Sequence, residues 1–266
     1  RLCGGPLYFE AWARLSGSTQ RRFKTAMNDA FERFVGTILH RIHDKCPHLR
    51  VIVDEDEMQA GWAEKKGEKP SVCDWILFGN DHCIVIDATN HAVKEDAAQG
   101  LASWEEYSAD IEKIFMDTDS GKYKQLLSTI DLVQKHEGWE NEKVDNKTMY
   151  APLVIVPDAG VVNGILTQFD INIRSIKAFK HLQPQVYAPG IVPLSDLQLL
   201  EGMADIGAKG GMNPDIMDLI AKWRISASKG VASLQLYLQS YGAPILPVSD
   251  HIMNNSRRVI RLLDKR

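Results

Sequence analysis

The chain has no apolar run long enough to cross a bilayer, and its first residues lack the apolar core of a signal peptide. No membrane partner is expected. Only four cysteines (Cys3, Cys46, Cys73 and Cys83) are spread over 266 residues. That is too few for a disulfide scaffold, so a reduced, intracellular, cytoplasmic protein is expected. An excess of positive charge is also missing: 31 Lys and Arg face 35 Asp and Glu, for a net charge of −4. Contact with nucleic acid would therefore need a local basic patch. There is no G-x-x-x-x-G-K-[ST], no G-x-G-x-x-G and no G-x-S-x-G, which removes the usual phosphate-cradling loops and the nucleophile elbow. Repeats and low-complexity linkers are absent as well. The chain opens on Arg1 rather than Met, as expected of a processed protein or a piece of a longer one.

What is present suits one large α/β domain or a domain with an extension. Phe23, Met27, Ala30, Phe34, Ile38 and Ile42 recur at helical spacing and predict a helix over 19–44, capped by Ser18 or Thr19 and ended by Pro47. LRVIVDE (49–55) predicts a strand, followed by a polar loop. Two apolar segments, 71–78 and 83–90, flank Gly79-Asn80-Asp81 and predict a hairpin. A helical pattern over 105–135 breaks at DTDSG. APLVIVP (151–157) reads as a strand buried on both faces. Residues 163–180 read as helical, and VYAPGIVPL (186–194) reads as an extended segment whose prolines place it near a sheet edge. Helices are expected from Ser195 to Met203, at 213–224 with Asn213 as cap and Pro214 in the first turn, and at 230–240. The basic tail suggests a frayed helix.

The predicted hairpin raises a question of charge, because each strand carries an aspartate well inside it. Side chains alternate along a strand. Asp87 thus shares a face with Val85 and Thr89, opposite Ile84, Ile86 and Ala88. With the turn centred on Asn80-Asp81, Asp74 lies opposite Asp87, their Cβ atoms about 5 Å apart. Two carboxylates at that distance repel, and burial makes each harder to ionise. A hard cation between them, such as Mg²⁺, would relieve the repulsion. The alternative from pattern alone is one aspartate bonded to a backbone group and the other facing solvent.

This order of elements, with "SVCDWILF", "IVIDATN", "NDAFERFVGTIL" and "GKYKQLLSTI", resembles the PD-(D/E)XK nuclease superfamily over residues 20–157. The resemblance implies a restriction-endonuclease-like α/β fold, with a mixed central sheet flanked by helices and a helical C-terminal part. The nuclease-like core would span 1–160, and 161–266 would continue it as an extension packed on the same domain. It also implies Asp74 and Asp87 as metal ligands helped by Glu32, Mg²⁺ or Mn²⁺ as cofactor, and Gln125 lining the site. Thr89 would stand where the family has its lysine. A threonine hydroxyl carries no charge and is a poor base, so two readings remain. Another lysine, Lys94 or Lys124, reaches in, giving a metal-dependent nuclease acting on nucleic acid (DNA more than RNA). Otherwise the domain is a catalytically silent pseudonuclease that binds other domains or subunits of a larger assembly. A plain α/β domain with structural aspartates is the third possibility. Arg21, Arg22, Lys94 and Lys124 are the basic candidates for contact with a phosphate backbone.

Other features carry less. His40, His43, Cys46 and His48 are zinc-type ligands in no recognised zinc spacing. Asp117, Asp119 and Gly121 in DTDSG lack the rest of a calcium loop and read as a turn. The acid run Asp54–Glu57 reads as a solvated strand end. Trp62 and Trp104 are expected in the core, with base stacking as the alternative, and Cys73 and Cys83 are expected as buried thiols.

Overall fold

The computed structural model describes residues 6–65, 67, 69–91, 93, 95–98, 101–117, 121–158, 160, 165–182, 185–210, 215–227, 229, 233–240 and 248–263. In chain order the elements are α1 (Pro6–Arg14), α2 (Gly17–His43), β1 (Val51–Asp54), α3 (Glu55–Trp62), β2 (Trp75–Phe78) and β3 (His82–Ala88). Next come α4 (Glu95–Ala98), α5 (Trp104–Ile111) running into a π-helical turn (Glu112–Met116), α6 (Lys122–Lys135), β4 (Gly138–Trp139), β5 (Glu142–Lys143) and β6 (Met149–Val156). The chain continues with α7 (Ile165–Phe179), β7 (Gly190–Pro193), α8 (Leu194–Ala208), α9 (Ile216–Ala227), α10 (Leu234–Ser240) and α11 (Asp250–Leu263).

Five strands form one mixed sheet in the order β1-β2-β3-β6-β7. The first three pair antiparallel, and β3-β6 and β6-β7 pair parallel. Because β7 belongs to this sheet, the region after residue 160 completes the core rather than standing apart. The expected mixed sheet flanked by helices, with a helical C-terminal part, is thus present. Alternation along the strands sorts the core into two layers. Ile84, Ile86, Leu153, Ile155 and Val192 pack on one face against α2, α8, α9 and α10. Val85, Val154 and Val156 pack on the other with side chains of α3, α5, α6 and α7.

Pro152 sits inside β6, a strand paired on both sides, where a residue without an N–H would break a ladder. The ladder accommodates it. Tyr150 bonds the segment before β7 through Gln185 and Tyr187, and regular pairing with β7 resumes only at Leu153–Gly190. The intervening carbonyls of Ala188 and Pro189 accept instead from the guanidinium of Arg224 on α9, each at 2.9 Å.

Several expectations change. The acid run ends β1 and is exposed from Glu55 to Glu57, as expected, but it also forms a capping box for α3: Asp54 accepts from the Glu57 N–H and Glu57 accepts from the Asp54 N–H. Asn213 and Pro214 lie outside the described residues, and it is Asp215 that accepts the N–H groups of Met217 and Asp218 at the start of α9. Ser195 does not open α8, which begins at Leu194; the Ser195 N–H donates to Asp158. The α2 helix begins at Gly17, and Ser16, its flanking residue, makes no side-chain cap bond. Trp62 is buried as expected, whereas Trp104 is 47 % exposed. Cys73 and Cys83 are buried.

The α2 helix is tied to α8 by two ion pairs repeated one turn apart, Arg41–Glu201 and Lys45–Asp205. Both acids are buried, so each needs its cation. We expect Arg41→Ala to lower the unfolding free energy by about 3–5 kcal/mol by leaving the Glu201 carboxylate buried alone. The double change Arg41→Met with Glu201→Leu should cost much less, and urea denaturation of the three proteins measures the difference.

Candidate functional site

The β2–β3 pairing runs Trp75↔Ile86, Ile76↔Val85, Leu77↔Ile84 and Phe78↔Cys83, so paired residue numbers sum to 161. Asp74 immediately precedes β2 and in this register stands opposite Asp87. The arrangement expected from a turn at Asn80-Asp81 is therefore the one found. Asp87 is fully buried, on the sheet face it shares with Val85. Asp74 is half-buried, and its Oδ2 accepts the Ala88 N–H at 2.6 Å. This is the backbone bond expected of a structural aspartate, but the other half of that alternative fails because Asp87 does not face solvent.

The position of α6 over the two acids is set by hydroxyl bonds from its own face. Thr129 accepts the Cys73 N–H at 2.7 Å and donates to the Gln125 carbonyl, while Ser128 donates to the Ser71 carbonyl at 2.8 Å. Both bonds fix α6 to the segment leading into Asp74. The first residue of the helix, Lys122, then places its Nζ 2.7 Å from Asp87 Oδ1 and donates to Gln125 Oε1 at 3.0 Å. A lysine thus reaches the acids from a helix, and it is neither of those anticipated. Lys94 lies outside the described residues. Lys124 is exposed and, two residues on, projects about 200° away around α6. Lys122 follows the DTDSG break, and its place at the first turn of α6, four residues before the buried Leu126, was the signal available for it.

Glu32 is half-buried on α2, and its charge is felt by both Lys122 and Asp74. Burial raises its pKa, Asp29, Asp87 and Glu55 add to the rise, and Lys122 opposes it. Glu55 at the start of α3 belongs to the same electrostatic group: burial and Asp56 raise its pKa, and Lys69 and Lys122 pull it down. Burial raises the Asp74 carboxyl well above its ordinary range and the Asp87 charge pushes it further. Asp87 is also raised by burial, with Lys122 opposing. Burial alone would lower the Lys122 ammonium, yet Asp87, Asp74 and Glu32 hold it above its usual value.

The remaining candidates fall around this centre. Thr89 is half-buried, its N–H bonded to the Ile155 carbonyl. Arg21 and Arg22 are exposed on α2. Arg21 lies on the helix face of Glu32, about 16 Å toward the N-terminus, and Arg22 is turned some 80° away. The Asn90 amide atoms, three residues past Asp87, are buried and have no partner among the described residues. The zinc-type residues do not assemble: His40 is exposed and Cys46 is buried in the core, where burial lifts its thiol to about 11. Asp119 lies outside the described residues.

A divalent cation fits the donor chemistry. Asp87 Oδ1 meets the Lys122 ammonium at 2.7 Å, and among the described residues its fully buried Oδ2 has no hydrogen-bond partner. Glu32, Asp74 and Asp87 would hold the ion through hard oxygen donors. Among the described residues, however, no three His, Cys, Asp or Glu side chains already stand grouped for an ion. The side chains would have to close around it, with Lys122 giving up part of Asp87.

A raised carboxyl binds more protons folded than unfolded, so ionising it as pH rises from about 4 costs stability. Asn at position 74 can still accept the Ala88 N–H and carries no charge. In EDTA at pH 8 we expect Asp74→Asn to melt higher than wild type, by the equivalent of roughly 1–3 kcal/mol. The difference should fade toward pH 4, as thermal melts across pH will show.

No family model, curated protein or solved structure matches this chain. What the site does rests on its own geometry.

Proposed function

We propose that the chain is a nuclease-like domain that binds nucleic acid and hydrolyses its phosphodiester bonds with the help of Mg²⁺ or Mn²⁺. The supporting observation is the Asp74–Asp87 pair at one end of the sheet, with Lys122 supplied from α6 where the motif offers only Thr89. When bound, the divalent ion would supply Lewis-acid stabilisation of phosphate charge and a lowered water pKa. The chain's own part is to hold three acids as ligands and to keep an ammonium beside them. The Lys122 ammonium pairs with Asp87 and also donates to the Gln125 side-chain oxygen, which holds it in place. Once a cation shares Asp87, the freed Lys122 can orient a water or meet the phosphate oxygens. Lys69, near Glu55, and Arg21, on the helix face of Glu32, are placed to meet the flanking backbone.

A second reading has its own support. In the structure Lys122 already neutralises Asp87, so a silent module using this pair as a strut would look the same, and its function would lie in protein contacts.

The two readings separate on Lys122→Met. For a nuclease, calorimetry shows Mg²⁺ or Mn²⁺ binding that Asp87→Asn removes, while Lys122→Met binds the ion at least as tightly. Cleavage of plasmid or single-stranded DNA falls by 10²-fold or more in both variants. If wild type binds neither ion and cuts no substrate, and Lys122→Met only lowers the melting temperature, the strut reading holds.

A further inference from the structure

Beside the β6–β7 gap a second charged group lies buried, and the site above makes no use of it. Arg224 on α9 is 5 % exposed. Its acceptors are all neutral: Nε donates to Ala188 O, and Nη2 donates to Pro189 O and to Asn172 Oδ1, each at 2.9 Å. The guanidinium also lies 4.6 Å from the centre of the Trp223 ring. Among the described residues no carboxylate stands within ion-pair distance of it. Burial is the main influence on its basicity and pulls it down to about 10. Buried charges are ordinarily paired. The three carbonyl-type bonds explain how the side chain is held beside the interruption at Pro152, but they leave its positive charge uncompensated.

A cavity of about 40 Å³ opens beside it, lined by Gln168 and Asn172 of α7, Ile191 and Pro193 of β7, and Ser233 before α10. That volume takes a few water-sized atoms and excludes a nucleoside or a peptide. Its polar lining is the Gln168 amide, the Asn172 amide, whose nitrogen also donates to the Ala227 carbonyl at 2.7 Å, and the Ser233 hydroxyl, groups with N–H or O–H bonds to offer an oxyanion. Asp196 also faces the cavity, where burial raises its carboxyl to about 6 and the Gln235 N–H holds it in place. Below that pH it is protonated and does not oppose an anion. The cavity is also well placed relative to the acids. Asp87 pairs with Val154, and Val154 with Ile191. Ile191 therefore stands at the level of Asp87, on the same face and two strands away, which is about 10 Å.

We propose that the pocket beside Arg224 is a binding site for a small oxyanion of the phosphoryl class, held by the Arg224 guanidinium together with Asn172, Gln168 and Ser233. It stands independently of the hydrolytic reading of Asp74 and Asp87. Either can fail while the other holds. The oxyanion could be free phosphate or the terminal phosphate of a nucleic-acid strand.

Calorimetry in EDTA at fixed ionic strength tests it, with inorganic phosphate, acetate and chloride titrated separately into the full chain. Phosphate should bind at least tenfold more tightly than acetate or chloride. Gln168→Glu keeps Arg224 and its bonds but adds an internal counter-charge, and should weaken phosphate at least tenfold. Arg224→Met should abolish binding, and Gln168→Glu decides the matter if that variant does not fold. A 5′-phosphorylated oligonucleotide that competes with phosphate, where its 5′-hydroxyl twin does not, assigns the site to strand ends; no competition from either assigns it to the free anion. Phosphate that does not bind wild type, that binds no better than acetate or chloride, or that binds Gln168→Glu unchanged overturns the proposal and leaves Arg224 as a clamp on the β6–β7 gap.

Discussion

A carboxylate that no water reaches governs this half of the molecule. Asp87 sits at full burial in the middle of a hydrophobic layer, where an unpaired ion would be driven to take up a proton. It faces a second acid across the hairpin, so its neighbours must bring positive charge. Lys122 does so, and most of the local architecture can be read as the means of delivering that ammonium. The break at Asp117 resets the helix so that α6 starts over the strand ends. Thr129 and Ser128 then lock α6 to the segment before Asp74. Tyr123, next to Lys122, donates to Ser175 of α7, which passes its own proton to the Ile171 carbonyl. That ties the same helix to the following one.

The hairpin and its charge conflict were legible from the residues alone. A tight Gly-Asn-Asp turn between two apolar runs sets the register, and the register sets which aspartates meet. The long helix carrying Glu32, the buried strand β6 and the edge strand β7 were legible for similar reasons, since each carries a strong period or a proline signature. Lys122 was only partly legible as the cation of the site. Positions 122 and 124 lie about 200° apart on one helix, and 122 is the one in line with the buried Leu126 and Ile130. That this stripe lies over the acids is decided by the hydroxyl bonds of Thr129 and Ser128 to the chain before β2, and those join residues more than fifty positions apart. Glu55 was hidden for a related reason. In an acid run every member looks alike until the capping box takes Asp54 and Glu57 for the backbone and leaves Glu55 to the cluster.

At the far end of the chain the helices expected at 195–203, 213–224 and 230–240 are present as α8, α9 and α10, with shifted ends. Their positions in the fold do not follow from local signal. They are held by long-range pairs instead: Arg41 and Lys45 with two buried acids of α8, and Arg224 with the carbonyls beside Pro152. Each of these bonds joins segments that propensity treats as unrelated.

Pro152 shows how one residue can shape both a sheet and its chemistry. Its missing N–H opens a gap in the β6–β7 ladder, and the gap leaves two carbonyls that must be satisfied. An arginine can serve both from one planar group, but it brings a charge that carbonyls cannot cancel. The sheet therefore holds a buried anion near the C-terminal end of β3, Asp87, and a buried cation at the N-terminal end of β7, Arg224, too far apart to neutralise each other. At Asp87 the fold answers the charge with Lys122 from within. At Arg224 the directly bonded partners are neutral oxygens, and the small polar cavity beside it, which Asp196 also lines, is the room the proposed oxyanion would take.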